Sequence, residues 1–454
     1  MKSIHWTIGL STLARVRFFA LFLSLADENV IACDQHITGS FTRTMKNKQT
    51  AVSVRQRRAH WIGELLLLAA VLFPIAVVAQ NGASDPELAP TPPMGWANWN
   101  SLGCNYNEGT IRAMADRMVS SGMRDAGYRY LIIQECIVPL GHRSADGTLL
   151  PDPQKFPHGV PALVAYIHQK GLKAGIYTDI GPKTCADYEG SFEHDMQDAR
   201  TFASWGIDLI EEDYCFKPAG YRAEQLYTRM RDAIRLTHRP MLFYICDPGR
   251  ELVWTWAPKV GNIWRSSGDV GGPGQADWTR MLRNFDQNAL HADRGGPNHW
   301  SDPDMLEVGV PGINAVEERS MFSLWAIFAA PLWAGNDLTT MSAEVQSILT
   351  NDEVIAVDQD PLGQPGTLVF EVSPGLQVWA RPLAGQNSPQ AVLLFNRTSQ
   401  QAEMKIRWEY LGIYGPAEAR DLWSHRNLGL FSQEYSTQVP AHGVVMLQVA
   451  PRSE

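Results

Sequence analysis

Trp205-Gly206-Ile207-Asp208-Leu209-Ile210-Glu211-Glu212-Asp213-Tyr214-Cys215 is a short apolar run that ends in three consecutive carboxylates. An apolar run with β-branched residues reads as a buried strand. Three acids in a row cannot all be buried without partners. They belong at a strand's C-terminal tip, facing a solvated cleft, and Asp213 is the leading candidate nucleophile there.

Outward from this strand the chain alternates short apolar runs with amphipathic stretches. Strands are expected at 94–99, 130–134, 173–178, 208–210, 241–245, 262–265 and 305–308, with an eighth within 328–334. Helices are expected at 109–126, 160–170, 193–205 and 224–236. Alternation of this kind implies a parallel sheet. About eight repeats over roughly 270 residues is the size of a (β/α)8 TIM barrel, whose catalytic groups sit at the strands' C-terminal ends. An open doubly wound sheet is the rival, but no GxGxxG follows the first strand.

The barrel is expected to span 91–363. After Asp360-Pro361-Leu362-Gly363 helical periodicity fades and short β-like runs follow, at 367–372, 377–381, 391–396, 403–408 and 443–449. Residues 364–454 therefore read as a C-terminal antiparallel β-sandwich.

Residues 65–79, LLLLAAVLFPIAVVA, follow Arg55, Arg57 and Arg58 and end in Val77-Val78-Ala79. A basic flank, a short apolar core and a small-residue end make a signal peptide, and the core is short for a membrane span. Export is expected, to the periplasm or the exterior, with a mature chain starting near Gln80 and no membrane contact after cleavage. Met45 gives a leader of ordinary length (45–79), so residues 1–44 read as an upstream extension. Residues 80–90 read as a linker.

The formal net charge of −9 argues against nucleic acid as a partner. Beyond the leader stand five cysteines, Cys104, Cys136, Cys185, Cys215 and Cys246. An exported chain oxidises such residues, and an odd count suits two disulfides and one free thiol.

The strand ends carry Trp96, Trp99, Gln134, Glu135, Tyr177, Asp179, Asp213, Asp247, Arg265, Asp269, Asp302 and Asp304. Carboxylates around one rim, with aromatic walls and an arginine, suit a sugar. Acids accept hydroxyl hydrogen bonds, rings cover apolar sugar faces, and a carboxyl pair can cleave a glycosidic bond. A divalent metal is the rival for any acid cluster, but neither an EF-hand loop nor an HExxH helix is present. No metal or cofactor is expected. Trp96 is read as core and Trp99 as a platform.

At this point the sequence resembles glycoside hydrolase family 27 of clan D, the α-galactosidases and α-N-acetylgalactosaminidases. The motifs are Thr91-Pro92-Pro93-Met94-Gly95-Trp96, Gly171-Leu172-Lys173-Ala174-Gly175-Ile176-Tyr177, Asp198-Ala199-Arg200, Asp302-Pro303-Asp304-Met305-Leu306 and Gln359-Asp360-Pro361-Leu362-Gly363. The resemblance implies a retaining exo-glycosidase acting on oligosaccharides or glycosides. Asp213 falls on the nucleophile, Asp269 on the acid/base and Arg265 on a substrate-binding arginine. Trp99, Tyr177, Asp304 and Met305 fall on other sugar contacts. It also implies the disulfides Cys104–Cys136 and Cys185–Cys215, with Cys246 free.

The departures fall in the glycone pocket. Gln134-Glu135 stand where the family commonly has Asp-Asp, Glu211 where it has Lys, and Asp247 where it has Glu. Galactose is the family default. β-L-Arabinopyranose and a glucose- or isomaltose-type glycone are the alternatives. A carbohydrate-binding relic without turnover is the reading from another class, and the joint presence of Asp213 and Asp269 argues against it.

Overall fold

The protein is described by a computed structural model covering residues 87–452. The leader, the upstream extension, Cys33 and residues 80–86 lie outside the described residues.

Eight strands form one parallel sheet: β1 (Met94–Ala97), β2 (Tyr130–Ile133), β3 (Lys173–Asp179), β4 (Leu209–Asp213), β5 (Leu242–Cys246), β6 (Ile263–Arg265), β7 (Trp300–Asp302) and β8 (Leu332–Ala334). Neighbours pair in sequence order, and β1 pairs with β8. The seam between β7 and β8 closes through Leu306, whose N–H donates to the Trp333 carbonyl at 2.7 Å and whose carbonyl accepts from Gly335. The sheet is thus a barrel, and the open-sheet alternative falls away.

The seventh strand differs from expectation. It is Trp300–Asp302, not 305–308. Pro303 offers no N–H to extend a ladder, and Asp304 turns the chain at φ 99°. The apolar run beyond it therefore supplies only the Leu306 bridge. The β5–β6 connection also differs, carrying two 3-10 turns (Val253–Thr255 and Ala257–Lys259) in place of a helix.

Strand alternation sorts the side chains. Leu209, Leu242, Tyr244, Ile263, Trp300 and Trp333 pack inside the barrel. Ile210, Phe243, Ile245 and Trp264 pack outward, against a core shared with Trp96 and the helices. Trp96 is fully buried, as its core reading required. The helix Asp195–Trp205 ends at Gly206, whose φ of 85° suits the residue without a Cβ, and the chain then enters β4. Of the segment read as a linker, the described end is anchored: Ala89 is buried and its carbonyl accepts from Trp300 Nε1 at 2.8 Å.

The C-terminal domain has a six-stranded antiparallel sheet, in the order β14-β13-β16-β11-β10-β9, faced by a two-stranded ribbon of β12 and β15. Their ranges are β9 Thr367–Ser373, β10 Leu376–Pro382, β11 Gln390–Asn396, β12 Ala402–Arg407, β13 Ala417–Asp421, β14 Arg426–Phe431, β15 Glu434–Val439 and β16 Val444–Pro451. The two layers bury Val378, Leu394, Met404, Ile406, Val439 and Leu447 between them. Three of these strands, β13 to β15, were not expected. Much of their length is exposed and charged, so the apolar signal is weak.

The helix Ala315–Ile327 lies between barrel and sandwich and is buried around nearly its whole circumference. Arg381 Nη1 donates to the Ala326 carbonyl at 2.9 Å, and Ser320 Oγ to the His442 carbonyl at 2.6 Å. The Asn396-Arg397-Thr398 sequon is closed to glycans. Asn396 is fully buried, and its amide donates to the carbonyls of Gln400, Val439 and Pro440. Among the described residues, no helix is long and apolar enough to cross a membrane.

Candidate active site

Parallel register stacks the inward residues in layers. Tyr177, Glu211 and Tyr244 lie side by side, and Asp179, Asp213 and Cys246 lie one step nearer the rim. Glu211 is therefore beneath Asp213, deeper in the barrel, while Glu212 points outward as strand alternation predicts. Glu212 is fully buried, and among the described residues neither of its carboxyl oxygens has a hydrogen-bond partner. Burial drives its pKa well above the ordinary range, with Asp195 adding to the effect.

Asp213 is half-buried. Its Oδ2 accepts from Tyr177 OH at 2.6 Å and its Oδ1 from the Tyr214 N–H at 2.7 Å. Burial raises its pKa; the Tyr177 and Tyr214 donors and the Arg265 charge pull it back in part. The Cys185–Cys215 disulfide ties the loops after β3 and β4 beside it, with Cys185 Sγ 3.4 Å from Oδ2. Cys104–Cys136 ties the loops after β1 and β2, and Cys246 is free and buried. Both pairings match those the family resemblance implied.

Arg265 organises the opposite side. Nη1 pairs with Asp304 Oδ1 at 2.8 Å, and Nη2 pairs with Asp269 Oδ1 at 3.0 Å. The arginine is buried, whereas the Asp269 side chain is 74% exposed. Asp304 also accepts the Val270 N–H at 2.7 Å, and burial pushes its pKa to about 7. Below it, Asp302 accepts from Tyr244 OH at 2.6 Å and from the Asp304 N–H at 2.8 Å.

The inner wall is the unusual part. Gln134 Nε2 donates to both oxygens of Glu211, at 2.9 and 2.7 Å, while the Trp99 N–H approaches Gln134 Oε1 at 3.4 Å. Glu211 is 2% exposed, and burial, reinforced by Asp213, raises its pKa to about 8. Glu135 turns to the loop instead. Its oxygens accept from Thr184 Oγ1 at 2.6 Å and from the Ala186 N–H at 3.1 Å. Asp247 is buried, caps its own turn through the Arg250 N–H at 2.6 Å, and is pushed by burial to about 7. Met305 is buried against Gly335.

Three bonded groups, Tyr177–Asp213, Trp99–Gln134–Glu211 and Asp304–Arg265–Asp269, thus gather at the barrel's C-terminal mouth, close enough for the Arg265 charge to act on Asp213 and Glu211. The Glu135 carboxylate also braces the disulfide loop, while Tyr177 and Asp213 lie near enough to act on its pKa. Sequence reasoning missed Asn100 and Glu307, a buried pair beside this set. Glu307 stood inside the run taken for a strand, which hid it.

Two groups of ligand-type atoms lie within 4.8 Å of one another, Asp179/Cys185/Asp213/Cys215 and Asp352/Glu353/His425. The sulfurs of the first are in a disulfide. In the second, Arg420 already occupies Glu353. Two large clefts lie elsewhere, of about 870 Å³ along helices Asp195–Trp205 and Ala223–Leu236 and about 450 Å³ at the barrel's other end; neither contains Asp213 or Asp269.

Residues 91–360 match the profile of the family described as alpha galactosidase A, and 373–449 match its C-terminal β-sandwich domain. The chain belongs to the α-galactosidase family. Within that family it is 42% identical to an α-galactosidase of Oryza sativa subsp. japonica, over 82% of this chain and 88% of the relative. It is 40% identical to alpha-galactosidase A of Cellvibrio japonicus, over 86% of this chain and 99% of the relative. Among solved structures, alpha-galactosidase I of Mortierella vinacea superposes with a TM-score of 0.74 at 35% identity, covering 83% of this chain and all of that one. The α-galactosidase-family chain is a glycoside hydrolase.

Proposed function

We propose that the protein is a secreted, retaining exo-glycosidase that removes terminal α-D-galactosyl groups, with Asp213 as nucleophile and Asp269 as acid/base. The observation that carries this reading is that two carboxylates, Asp213 and Asp269, are each held by a neighbour and feel the same Arg265 charge. Tyr177 holds one carboxylate and Arg265 the other, around one barrel mouth. Buried Glu211 and Gln134 lie beneath Asp213 and floor the pocket, which suits release of single terminal residues. Two disulfides support an oxidising destination.

In the first step Asp213 attacks the anomeric carbon while Asp269 gives its proton to the departing glycosidic oxygen. In the second, Asp269 takes a proton from water, which attacks the anomeric carbon and frees Asp213. Two inversions give net retention. Tyr177 orients the nucleophile and disperses its charge. Arg265 fixes Asp269, and the leaving group covers this exposed side chain on binding.

Glu211 stands where the family resemblance places a lysine. Held neutral by burial, it offers an O–H donor in place of the ammonium. A second reading has support from the same wall. Gln134 and Glu211, bonded to each other in place of the acids and lysine the resemblance expects, could equally suit a β-L-arabinopyranosyl glycone, which lacks the C6 group.

An assay on aryl α-galactoside, β-L-arabinopyranoside and α-glucoside decides, with the product anomer followed by NMR. The expected outcome is α-galactoside cleavage with retention and a loss of at least about 10⁴-fold in Asp213→Asn. Sugar binding without turnover on the whole panel would make this a carbohydrate-binding protein instead.

A further inference from the structure

Asp269 rides on a glycine-rich loop whose only internal backbone bonds, among the described residues, are those of the Gly272–Gln275 turn at its far end. Four of the seven residues 268–274 are glycine: Gly268, Gly271, Gly272 and Gly274. Such a backbone is permissive, so its position must be imposed from outside. One side is pinned by Ser267 Oγ to the Pro303 carbonyl at 3.1 Å, by the Val270 N–H to Asp304 at 2.7 Å, and by Asn284 and Arg283, which donate to the Gly268 and Asp269 carbonyls. The other side rests on Asn100 and Glu307. The Asn100 carbonyl accepts the Gly274 N–H at 2.7 Å. The Asn100 amide donates to Glu307 Oε1. A Cβ on Gly271 would come within 3.0 Å of that same oxygen, so the loop lies directly on the carboxyl group.

Glu307 is fully buried, and its Oε2 has no partner among the described residues. The charged groups facing it are Asp304 and Asp269, both acids. We infer that Glu307 is a positioning residue, a strut that, with Asn100, holds the Asp269 loop where its carboxyl can reach the leaving oxygen. Burial first, and Asp304 second, push the Glu307 pKa to about 9. The strut therefore works as a neutral acid, and shape and hydrogen bonding, not charge, are what it supplies. The inference rests on Asp269 being the acid/base.

Leaving-group dependence tests it. A dinitrophenyl glycoside departs without a proton, whereas a disaccharide needs one from Asp269. Misplacing a general acid forfeits about 10²-fold or more on substrates that need it. Glu307→Ala should lower kcat/KM about 100-fold on the disaccharide and less than about 3-fold on the dinitrophenyl glycoside. Glu307→Gln, neutral and of the same shape, should restore the disaccharide activity with an unmoved pH profile. Asn100→Ala removes the other half of the strut and should give the same split if Glu307→Ala does not fold. Equal losses on both substrates, or Glu307→Gln no better than Glu307→Ala, would overturn the inference. A wild-type protein that cleaves neither substrate would overturn the assignment of Asp269 and the strut with it.

Discussion

Glu211→Gln tests the most unusual feature of the pocket. Glu211 is 2% exposed, and its pKa rises from the ordinary 4.5 to about 8. Burial is the largest cause, Asp213 and Asp302 add to it, and the Gln134 amide and Arg265 oppose it. A carboxyl with a higher pKa folded than unfolded binds its proton more tightly in the native state. Its contribution to stability is complete below pH 4.5 and is lost progressively as pH rises toward 8. Each unit in that window removes about 1.4 kcal/mol. Glutamine has no such dependence, and every other titrating group is common to both proteins. The new contact between Gln134 and glutamine 211 does not vary with pH, so it cancels in a comparison across pH. From pH 5 to pH 7 the stability of Glu211→Gln relative to wild type should therefore rise by about 2.5 kcal/mol and level off above pH 8. Urea unfolding of both proteins at half-unit steps measures this. Parallel stability curves would refute the reasoning, because they would mean that Glu211 is ionised in the native state and that Arg265 and Gln134 outweigh burial.

Tyr177→Phe removes the 2.6 Å donor to Asp213 Oδ2. A hydrogen bond to a charged group contributes about 1.5–3 kcal/mol, so kcat/KM should fall about 10- to 150-fold. The acid limb of its pH profile should move to higher pH, since the carboxylate loses a stabilising donor; an unmoved limb would show that Tyr177 does not act through Asp213. Replacing Gln134 by Asp together with Glu211 by Lys should raise aryl α-galactoside hydrolysis, measured as kcat/KM, while Glu135 is left to brace the Thr184–Ala186 loop. No gain in the double variant would mean that these positions do not set the glycone.

The barrel was legible because its signals are local. Gly206 stops a helix, Leu209 and Ile210 start a strand, and the acids follow at the tip. The placement of Asp213 and of the Glu211/Glu212 split follows from alternation alone. What was not legible depends on contacts distant in sequence. The β7 strand Trp300–Asp302 has three residues and one true apolar side chain, so only its partners in β6 define it. The exposed strands β13 to β15 lack an apolar pattern for the same reason. That Glu135 also braces a loop shows only through Thr184 and Ala186, about fifty residues on, which donate to its oxygens. Glu307 was invisible because its meaning lies in Asn100 and Gly271, which only barrel closure brings beneath one loop.

The crowd of acids raises the question of which of them are charged. Burial raises Asp179 to about 9, Glu211 to about 8, Glu307 to about 9 and Asp304 to about 7. All of these in their ionised forms at once would be untenable in so dry a region. Arg265 is the cation that separates them. It contacts Asp304 and Asp269 directly, and its field lowers the pKa of Asp213, Glu211 and Asp302. Glu307 feels no such relief, only the like charges of Asp304 and Asp269. A carboxyl's role thus follows its relation to one guanidinium. Asp213, held by the Tyr177 donor and eased by the Arg265 field, is the carboxyl placed to carry the charge that bond cleavage needs. Glu307, which it does not reach, is held neutral by burial and serves as a support. Glu211 sits between these groups, within reach of the Arg265 field but without a contact to it, and for that reason its protonation is the property most worth measuring in this pocket.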